Sequence, residues 1–427
     1  MNKTIRIVLY VLSILTVAGV IAAAILTGGQ AKPASAPGAT AEEEQAEMSD
    51  AEATLDGAAT ADGSGISTDG AETAGEDGSM SENAVTAGEN GSISDDAATA
   101  AGTGSASDET ANKDNQKDSG DTTIILTGDV LFANAFKAAY DAGGIERVVS
   151  PELLEQLKAA DILMVNNEFP FSDRGEPMAD KQFTFRCSPS YVRALNEMGV
   201  DIVSLANNHT LDYGRDALSD TFTTLDGAGI LYAGAGETKE RAYELQIIEK
   251  NGKKFGFLAA SRVVPESNWK VEERTPGMLT AYDDTKLVQL IKEARSGCDF
   301  LAVYIHWGVE YDAYPQDYQT KIATDCFNAG ADLILGAHTH CLQGISYISG
   351  KPVFYSLGNF VFGQNIDKTA AVKVQVSSDG TVSYGLLPVY AAGGTTKLMD
   401  TNSASALYQY MTQISDGVTI GADGKIN

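Results

Sequence analysis

Seven polar side chains that can bind a metal ion each follow a short apolar run of β-forming residues. They are Asp129, Glu168, Asn208, His209, His306, His338 and His340. The four histidines in this set are all the histidines of the 427-residue chain. Ligands of α/β proteins bind beyond the carboxyl ends of the strands, so we expect these side chains to line one shared pocket.

The chemistry of this set is that of a metal site. A single histidine is more often a structural residue than a ligand, and a single acidic residue is more often a solvated charge. All four histidines at one predicted sheet edge, beside two carboxylates and an amide, favour a metal site instead. Mixed oxygen and nitrogen ligands suit Mn, Fe, Zn or Mg without choosing among them. In hydrolytic sites with two cations about 3.5–4 Å apart, one carboxylate is shared, and a separate histidine can protonate the leaving group.

The elements that must position these residues alternate between strand and helix. Continuous apolar runs predict buried strands at 122–126, 162–165, 202–205, 300–305 and 333–335. Helices are predicted to begin at Ser150-Pro151 and Ser188-Pro189, and to span Arg215–Leu225, ending at Gly227, and Pro315–Asn328, ending at Gly330. Asn251-Gly252, Ser349-Gly350 and Asp379-Gly380 predict hairpin turns. The pattern predicts an α/β domain with a mixed sheet and helices layered over sheets.

An uncharged apolar run from Ile7 to Leu26 indicates where in the cell we expect the protein to lie. About 20 residues of helix span the ~30 Å hydrocarbon core of a bilayer. Lys3 and Arg6 precede the run, so we expect the N-terminus inside the cell and the rest of the chain outside. A cleavable signal peptide is the alternative, but its apolar region is usually about 7–15 residues long. The length favours an uncleaved signal anchor, which makes the membrane a partner and predicts a single-pass protein with an extracellular domain.

Composition divides the rest of the chain in two. Residues 28–120 are rich in Gly, Ser, Ala, Thr and acidic residues and contain no aromatic residue. Such a segment buries too little apolar surface to fold, so a disordered linker is predicted. The predicted parts are a cytoplasmic stub and anchor at 1–27, the linker at 28–120 and a folded domain at 121–427. The net charge of −28, without a basic cluster, argues against nucleic acid as a partner.

The motifs of the folded part resemble those of a known family in content and order. They are Thr127-Gly128-Asp129, Asn167-Glu168-Phe169-Pro170, Phe185-Arg186, Ser204–His209, His306–Tyr311, Gly336–His340 and Tyr355–Phe360. This series resembles the CapA-type poly-γ-glutamate capsule synthesis proteins, a family similar to the calcineurin-like metallophosphoesterases. The resemblance implies a four-layer α-β-β-α sandwich of the metallophosphoesterase type. It also implies a role in the synthesis, export or retention of an anionic surface polymer, with polymer synthase or transporter subunits as possible partners.

The resemblance also implies roles for individual residues. Asp129, Glu168, Asn208, His306, His338 and His340 match metal ligands, with Glu168 in the place of the bridging carboxylate. His209 matches the histidine that protonates the leaving group. The phosphoesterase pattern has a histidine two residues after its first aspartate, whereas this chain has Leu131, and it has aspartate where this chain has Glu168. Two readings stay open: a metal-dependent hydrolase, or a non-catalytic polymer-binding or assembly subunit with a degenerate metal site.

Four further side chains are candidates for the site. Arg186 is a candidate for binding an anionic group of the substrate, because arginine recognises carboxylate and phosphate in a bidentate manner; Lys181 is a weaker candidate for the same role. Asp212 could orient His209 or cap the helix that follows it. Asn359 is a candidate for substrate binding or for supporting the metal ligands, with an ordinary turn residue as the alternative.

Overall fold

The computed structural model describes residues 120–363 and 366–427. The predicted stub and anchor at 1–27, and the predicted linker at 28–120 except for Gly120, lie outside this part of the chain. Within the described ranges, no helix is both long enough and apolar enough to cross a bilayer.

The first sheet has eight strands of both directions. They are β1 (Thr122–Val130), β2 (Ile162–Asn167), β3 (Ile202–Ser204), β4 (Leu231–Ala233), β13 (Asn359–Val361), β14 (Ile366–Val376), β15 (Val382–Ala392) and β16 (Thr395–Leu398). β1 to β4 run parallel to one another, while β14, β15 and β16 form an antiparallel meander beside β1. The carboxyl ends of β1, β2 and β3 therefore share one edge.

The second sheet has six strands and is also mixed. They are β6 (Gln246–Lys250), β7 (Lys253–Ser261), β9 (Phe300–His306), β10 (Leu333–Ala337), β11 (Leu342–Ile348) and β12 (Lys351–Leu357). Strands β7, β9, β10 and β12 are parallel, and β6 and β11 close the two edges as antiparallel partners. Two short strands, β5 (Ala235–Gly236) and β8 (Gly277–Met278), pair separately.

Eight helices cover the two sheets. They are α1 (Asn134–Gly143), α2 (Pro151–Lys158), α3 (Val192–Met198), α4 (Gly214–Ala228), α5 (Lys239–Ala242), α6 (Thr285–Ala294), α7 (Asp317–Ala329) and α8 (Thr401–Ile414) within the described residues. α2 and α4 pack on the first sheet, and α6 and α7 pack on the second. β1 contacts β10 and β12 directly, and the hydroxyl of Tyr304 donates to the carbonyl of Thr127 between the sheets at 2.9 Å. The predicted four-layer α/β sandwich with mixed sheets is therefore confirmed.

Local signals in the sequence agree with the structure at one helix start and at two hairpin turns. Ser150 caps α2 with its side chain, and Asn251-Gly252 and Ser349-Gly350 both have the positive φ values of a tight hairpin turn. The predicted end of the helix at Gly227 is wrong, because α4 continues to Ala228 and ends at Gly229, whose φ is 71°. Gly229 can adopt this left-handed conformation without the steric cost of a Cβ atom.

Gly336 in β10 lies where two strands and a buried indole meet. A Cβ atom there would lie 2.0 Å from the carbonyl oxygen of Tyr355 and 2.3 Å from Nε1 of Trp307, and these two atoms are hydrogen-bonded to each other at 2.8 Å. We expect Gly336→Ala to destabilise the fold by about 1–3 kcal/mol or more, measured by denaturant unfolding of the metal-free protein. Gly227→Ala is the matched control, because its Cβ meets nothing within 4 Å. It should stabilise α4 by about 0.5–1 kcal/mol, and an equal loss in both variants would contradict the packing argument.

Candidate metal centre

The carboxyl ends of the central strands of both sheets meet over one pocket. Asp129 is the next-to-last residue of β1, Glu168 directly follows β2, and His306 ends β9. A hydrogen bond joins the sheets here, because the backbone N–H of His338 donates to Oδ2 of Asp129 at 3.2 Å. The predicted shared pocket is thus formed by residues that are far apart in the chain.

Glu168 is the centre of the pocket. It belongs to two groups of three side chains whose ligand atoms lie within 4.8 Å of one another. The first group is Glu168, His306 and His338, and the second is Asp129, Glu168 and His340. One carboxylate common to two ligand groups is the arrangement that a two-cation site requires.

The buried polar atoms of the pocket fit a metal ion. Neither carboxylate oxygen of Glu168, nor Nδ1 of His338, has a hydrogen-bond partner among the described residues, although all three atoms are buried. An unpartnered buried carboxylate is costly, and native proteins rarely leave such atoms without a partner unless an ion or water supplies one. These residues would therefore hold a divalent cation.

Asn208 extends the first ligand group to four side chains. Its Oδ1 lies 2.7 Å from Nε2 of His306, and the same nitrogen lies 3.4 Å from Oε1 of Glu168. Asn208 lies in a turn that Asn207 fixes, because Oδ1 of Asn207 accepts the backbone N–H of His209 at 3.0 Å. The amide oxygen, the imidazole and the carboxylate thus converge.

The second ligand group is held by amide side chains. Nδ2 of Asn166 donates to Oδ1 of Asp129 at 2.7 Å and lies 3.3 Å from Nδ1 of His306, so one amide connects both ligand groups. Oδ1 of Asn359 lies 2.7 Å from Nδ1 of His340 and orients that ring. Supporting hydrogen bonds of this kind fix the orientation of metal ligands.

The loop that carries the last two histidines has an unusual backbone. His338 and His340 have φ values of 98° and 55°, which non-glycine residues seldom adopt. Each such residue costs about 1–3 kcal/mol and persists only where the surroundings impose it. Thr339, between them, donates to the hydroxyl of Ser356 and accepts the backbone N–H of Tyr311 at its carbonyl, both at 2.8 Å. Both imidazoles of this strained loop belong to the ligand groups of the pocket.

Burial sets the charge state of the ligands. Desolvation raises the pKa of Glu168 well above its ordinary value of 4.5, and the nearby charges of Asp129 and Glu310 add to this. Burial also raises the pKa of Asp129, and it lowers the pKa values of His306 and His338 well below 6.5. Neutral imidazoles are the form that binds metal, whereas the two carboxyls need a cation to favour their charged form.

His209 forms a second unit beside the ligands. Its Nδ1 lies 2.7 Å from Oδ2 of Asp212, and Lys181 bonds to the other oxygen of Asp212. Lys181 also donates to the backbone carbonyl of Asn208 at 2.5 Å and lies 3.1 Å from Nδ1 of His209. Burial lowers the pKa values of both His209 and Lys181, although Asp212 opposes the shift in each case. The arrangement is a buried histidine–carboxylate dyad with a lysine against it.

The folded part of the chain matches a known protein family. A family model described as "Bacterial capsule synthesis protein PGA_cap" matches residues 123–364. This chain belongs to that family. As a CapA-like member, it is 29% identical to the PGA biosynthesis protein CapA of Bacillus subtilis (strain 168), over 70% of this chain and 80% of the relative. It is 30% identical to the capsule biosynthesis protein CapA of Bacillus anthracis, over 67% of this chain and 70% of the relative. Among solved structures, it is similar to the 5'-nucleotidase of Candida albicans SC5314, with 11% identity, a TM-score of 0.37, and coverage of 71% of this chain and 55% of the other.

The remaining predicted site residues have different surroundings in the CapA-like structure. Asp212 contacts His209 as predicted for an orienting residue, and the capping alternative is wrong, because Tyr213 precedes α4 and no side chain caps it. Arg186 donates to the carbonyls of Arg174 and Gly175 and lies over the ring of Tyr213, so its guanidinium is used within its own loop. Its substrate-binding role, and that of Asn359, stay predictions.

Asn166 was not predicted from the sequence as a supporting residue, and Lys181 was predicted only to bind substrate. Asn166 is in β2 and Glu168 directly follows that strand, so the two lie at i and i+2, a spacing that places side chains of an extended chain on the same face. That spacing is the signal that could have identified it. Lys181 was a weak candidate for binding substrate, whereas the structure places it against Asp212 and the Asn208 carbonyl. No local pattern indicates that contact.

Divalent cations are expected to stabilise this centre in the full-length protein. Ligand binding to the folded state alone adds about 2.7 kcal/mol when the free concentration is 100 times Kd. Adding Mn²⁺ or Zn²⁺ to chelator-treated protein should therefore raise the melting temperature, and His338→Asn should remove most of the rise. His209→Asn is the matched control, because His209 is in neither ligand group. Equal behaviour of the two variants would place the cation elsewhere.

The pH dependence of the metal-free protein should reveal the buried carboxyls. The raised pKa of Glu168 means that the folded protein binds this proton more tightly than the unfolded chain does. The resulting stabilisation is complete below about pH 4.5 and is lost as the pH rises through the pKa of the folded state. Glu168→Gln should therefore gain stability over wild type as the pH rises, in unfolding experiments with chelator. The lowered pKa values of His306 and His338 make the stability fall as the pH drops below about 6.5. Wild type and variant share this effect. A variant that is less stable than wild type at pH 8 would contradict this assignment.

Proposed function

We propose that this CapA-like protein acts in poly-γ-glutamate capsule biosynthesis as a divalent-metal-dependent enzyme of the hydrolase type. The observation that carries the proposal is Glu168, a fully buried carboxylate shared by two ligand groups and without a hydrogen-bond partner in the described part of the chain. A carboxylate retained in this state, beside neutral imidazoles, is explained by cation binding.

Separate residues of the chain would bind the cation and transfer the proton. A bound divalent cation supplies Lewis-acid polarisation of the bond to be cleaved. Asp212 holds Nδ1 of His209, which leaves Nε2 as the nitrogen that can pass a proton to the leaving group. Burial makes the protonated His209 ring a stronger acid, and Asp212 moderates that effect. The leaving group is an amine if the polymer amide is cleaved and an alkoxide if a phosphoester is cleaved.

The cellular setting is part of the same proposal. The apolar run Ile7–Leu26, with Lys3 and Arg6 before it, supports a single-pass anchor in the cell membrane and a domain on the extracellular face. There the protein would meet an anionic polymer as it is synthesised, exported or retained. Polymer synthase or transporter subunits are the partners that such a position favours.

A non-catalytic polymer-binding or assembly subunit is the second candidate. The observation that favours it is Leu131, a buried apolar residue where the phosphoesterase pattern has a histidine. The group of Asp129, Glu168 and His340 then lacks that ligand, and a cation held there would bind more weakly than one held by Glu168, Asn208, His306 and His338. A protein with one firmly held cation could bind a polyanion without cleaving it.

Replacement of His209 separates these two candidates. If the protein is a hydrolase, His209→Ala should lower turnover about 10²–10⁴-fold, the usual contribution of a general acid, while the metal content stays unchanged. The measurement is release of amino groups from poly-γ-glutamate, and release of phenol from generic phosphodiesters, by the metal-loaded full-length protein. His338→Ala is the comparison that should lose both metal and turnover. Bound metal with no His209-dependent turnover of either substrate would favour the binding subunit.

A further inference from the structure

Arg262 is a cationic side chain at the same sheet edge to which neither the sequence motifs nor the proposed chemistry assigns a role. It directly follows β7, and its backbone N–H donates to the carbonyl of His306 at 2.8 Å. Ser261, the residue before it, is the register partner of His306. Arg262 is therefore one residue beyond the strand end that flanks a metal-ligand candidate.

Aromatic rings hold the guanidinium of Arg262. Its Cζ lies 3.5 Å from the ring centroid of Tyr282 and 4.7 Å from that of Tyr318. Tyr318 is itself fixed, because its hydroxyl exchanges two hydrogen bonds of 3.0 Å with the backbone of Gly308, two residues after His306. Stacking uses the faces of a guanidinium and leaves its N–H edges available.

The edges of this guanidinium are unused in the described part of the chain. There, its side chain has ring contacts but neither a hydrogen bond nor an ion pair. The stacked arginines Arg186 and Arg241 differ, since both donate to backbone carbonyls. Asp283, next to Tyr282, does not supply a partner, because its carboxylate accepts from the backbone and hydroxyl of Thr285. Arg262 is thus preorganised for an external anion.

Exposure around Arg262 suits an extended ligand. Tyr282 is 72% exposed, and Val309, next to Gly308, is 49% exposed. The open face of the Tyr282 ring is thus available to an apolar group of a ligand that the Arg262 guanidinium binds. The chain carries a net charge of −28, so a polyanion is repelled overall and needs a local cation to dock.

We propose that Arg262, held against Tyr282 and Tyr318, is a carboxylate-binding subsite that anchors an anionic polymer beside the metal centre. A planar guanidinium binds a carboxylate through two parallel hydrogen bonds. The exposed ring of Tyr282 covers the aliphatic part of the neighbouring residue of the polymer. The identification of the polymer as poly-γ-glutamate rests on the proposed function, whereas the subsite itself rests on the geometry of Arg262.

The test is direct binding by the full-length protein, without reference to turnover. The probe is a fluorescein-labelled γ-linked glutamate oligomer, measured by anisotropy at constant ionic strength. Arg262→Gln should weaken Kd about tenfold or more, the loss typical of a hydrogen-bonded charge. Arg262→Lys should recover only part of it, because an ammonium cannot form the two parallel bonds. Tyr282→Ala should weaken binding to a smaller extent, and the methyl-esterified oligomer should bind equally to wild type and Arg262→Gln.

Two matched variants remove the same charge elsewhere. Arg147→Gln changes an exposed arginine on the short turn after α1 and should bind as wild type does. Arg274→Gln changes the groove that Lys239, Lys270 and Lys286 also line. A loss of binding in Arg274→Gln with none in Arg262→Gln would place the polymer in that groove and overturn the subsite.

The outcomes distinguish this inference from the proposed function. Wild-type binding that survives Arg262→Gln overturns the subsite and leaves the polymer assignment intact. Absence of any wild-type binding overturns both. Binding that is lost in Arg262→Gln but kept in His338→Asn supports a subsite that acts separately from the metal.

Discussion

The structure depends on the burial of two carboxyl groups, Glu168 and Asp129, between two sheets. Both are fully buried, and burial raises the pKa of each. His306 and His338 do not compensate for Glu168, because burial lowers their pKa values and keeps both rings neutral. The pocket is therefore arranged to favour a cation that the side chains themselves do not provide, and the ligand groups around Glu168 follow from that requirement.

The rest of the fold holds this unfavourable cluster together. Parallel strands from both sheets end at one edge, so residues from five segments reach the pocket without long loops. The two positive-φ histidines and the hydrogen bonds of Thr339 hold the last of these segments in a conformation that it would not adopt alone. The large apolar core behind the pocket, which includes Trp307 and Ile305, supplies the stability that offsets the strain.

The four-layer sandwich was predicted from the family resemblance. The residue pattern itself was sufficient to predict the α/β class, the strand-end pocket and the set of candidate ligands. This succeeded because a buried strand is a continuous apolar run, and because its carboxyl end faces the site in α/β folds. It was insufficient for contacts that arise only in three dimensions. The bond between Lys181 and Asp212, and the stacking of Arg262 on Tyr282, join separate loops, and no local pattern encodes them. The end of α4 was missed by two residues, since Gly227 is tolerated inside a helix and Gly229 has the conformation that ends it.

The segment from Asn207 to Asp212 joins the two chemical units of the pocket. Asn208 offers its amide oxygen to the ligand group, while the next residue, His209, belongs to the dyad. Lys181 bonds to the carbonyl of Asn208 and to Asp212. It therefore connects the candidate metal ligand Asn208 to the pair of His209 and Asp212. A displacement of either unit would move the other, because a single turn and a single partly buried lysine hold both. Lys181 is a partly buried cation against the dyad, and its charge lowers the pKa of His209. Its bonds to Asp212 and to the Asn208 carbonyl connect the dyad to the metal ligands despite that cost.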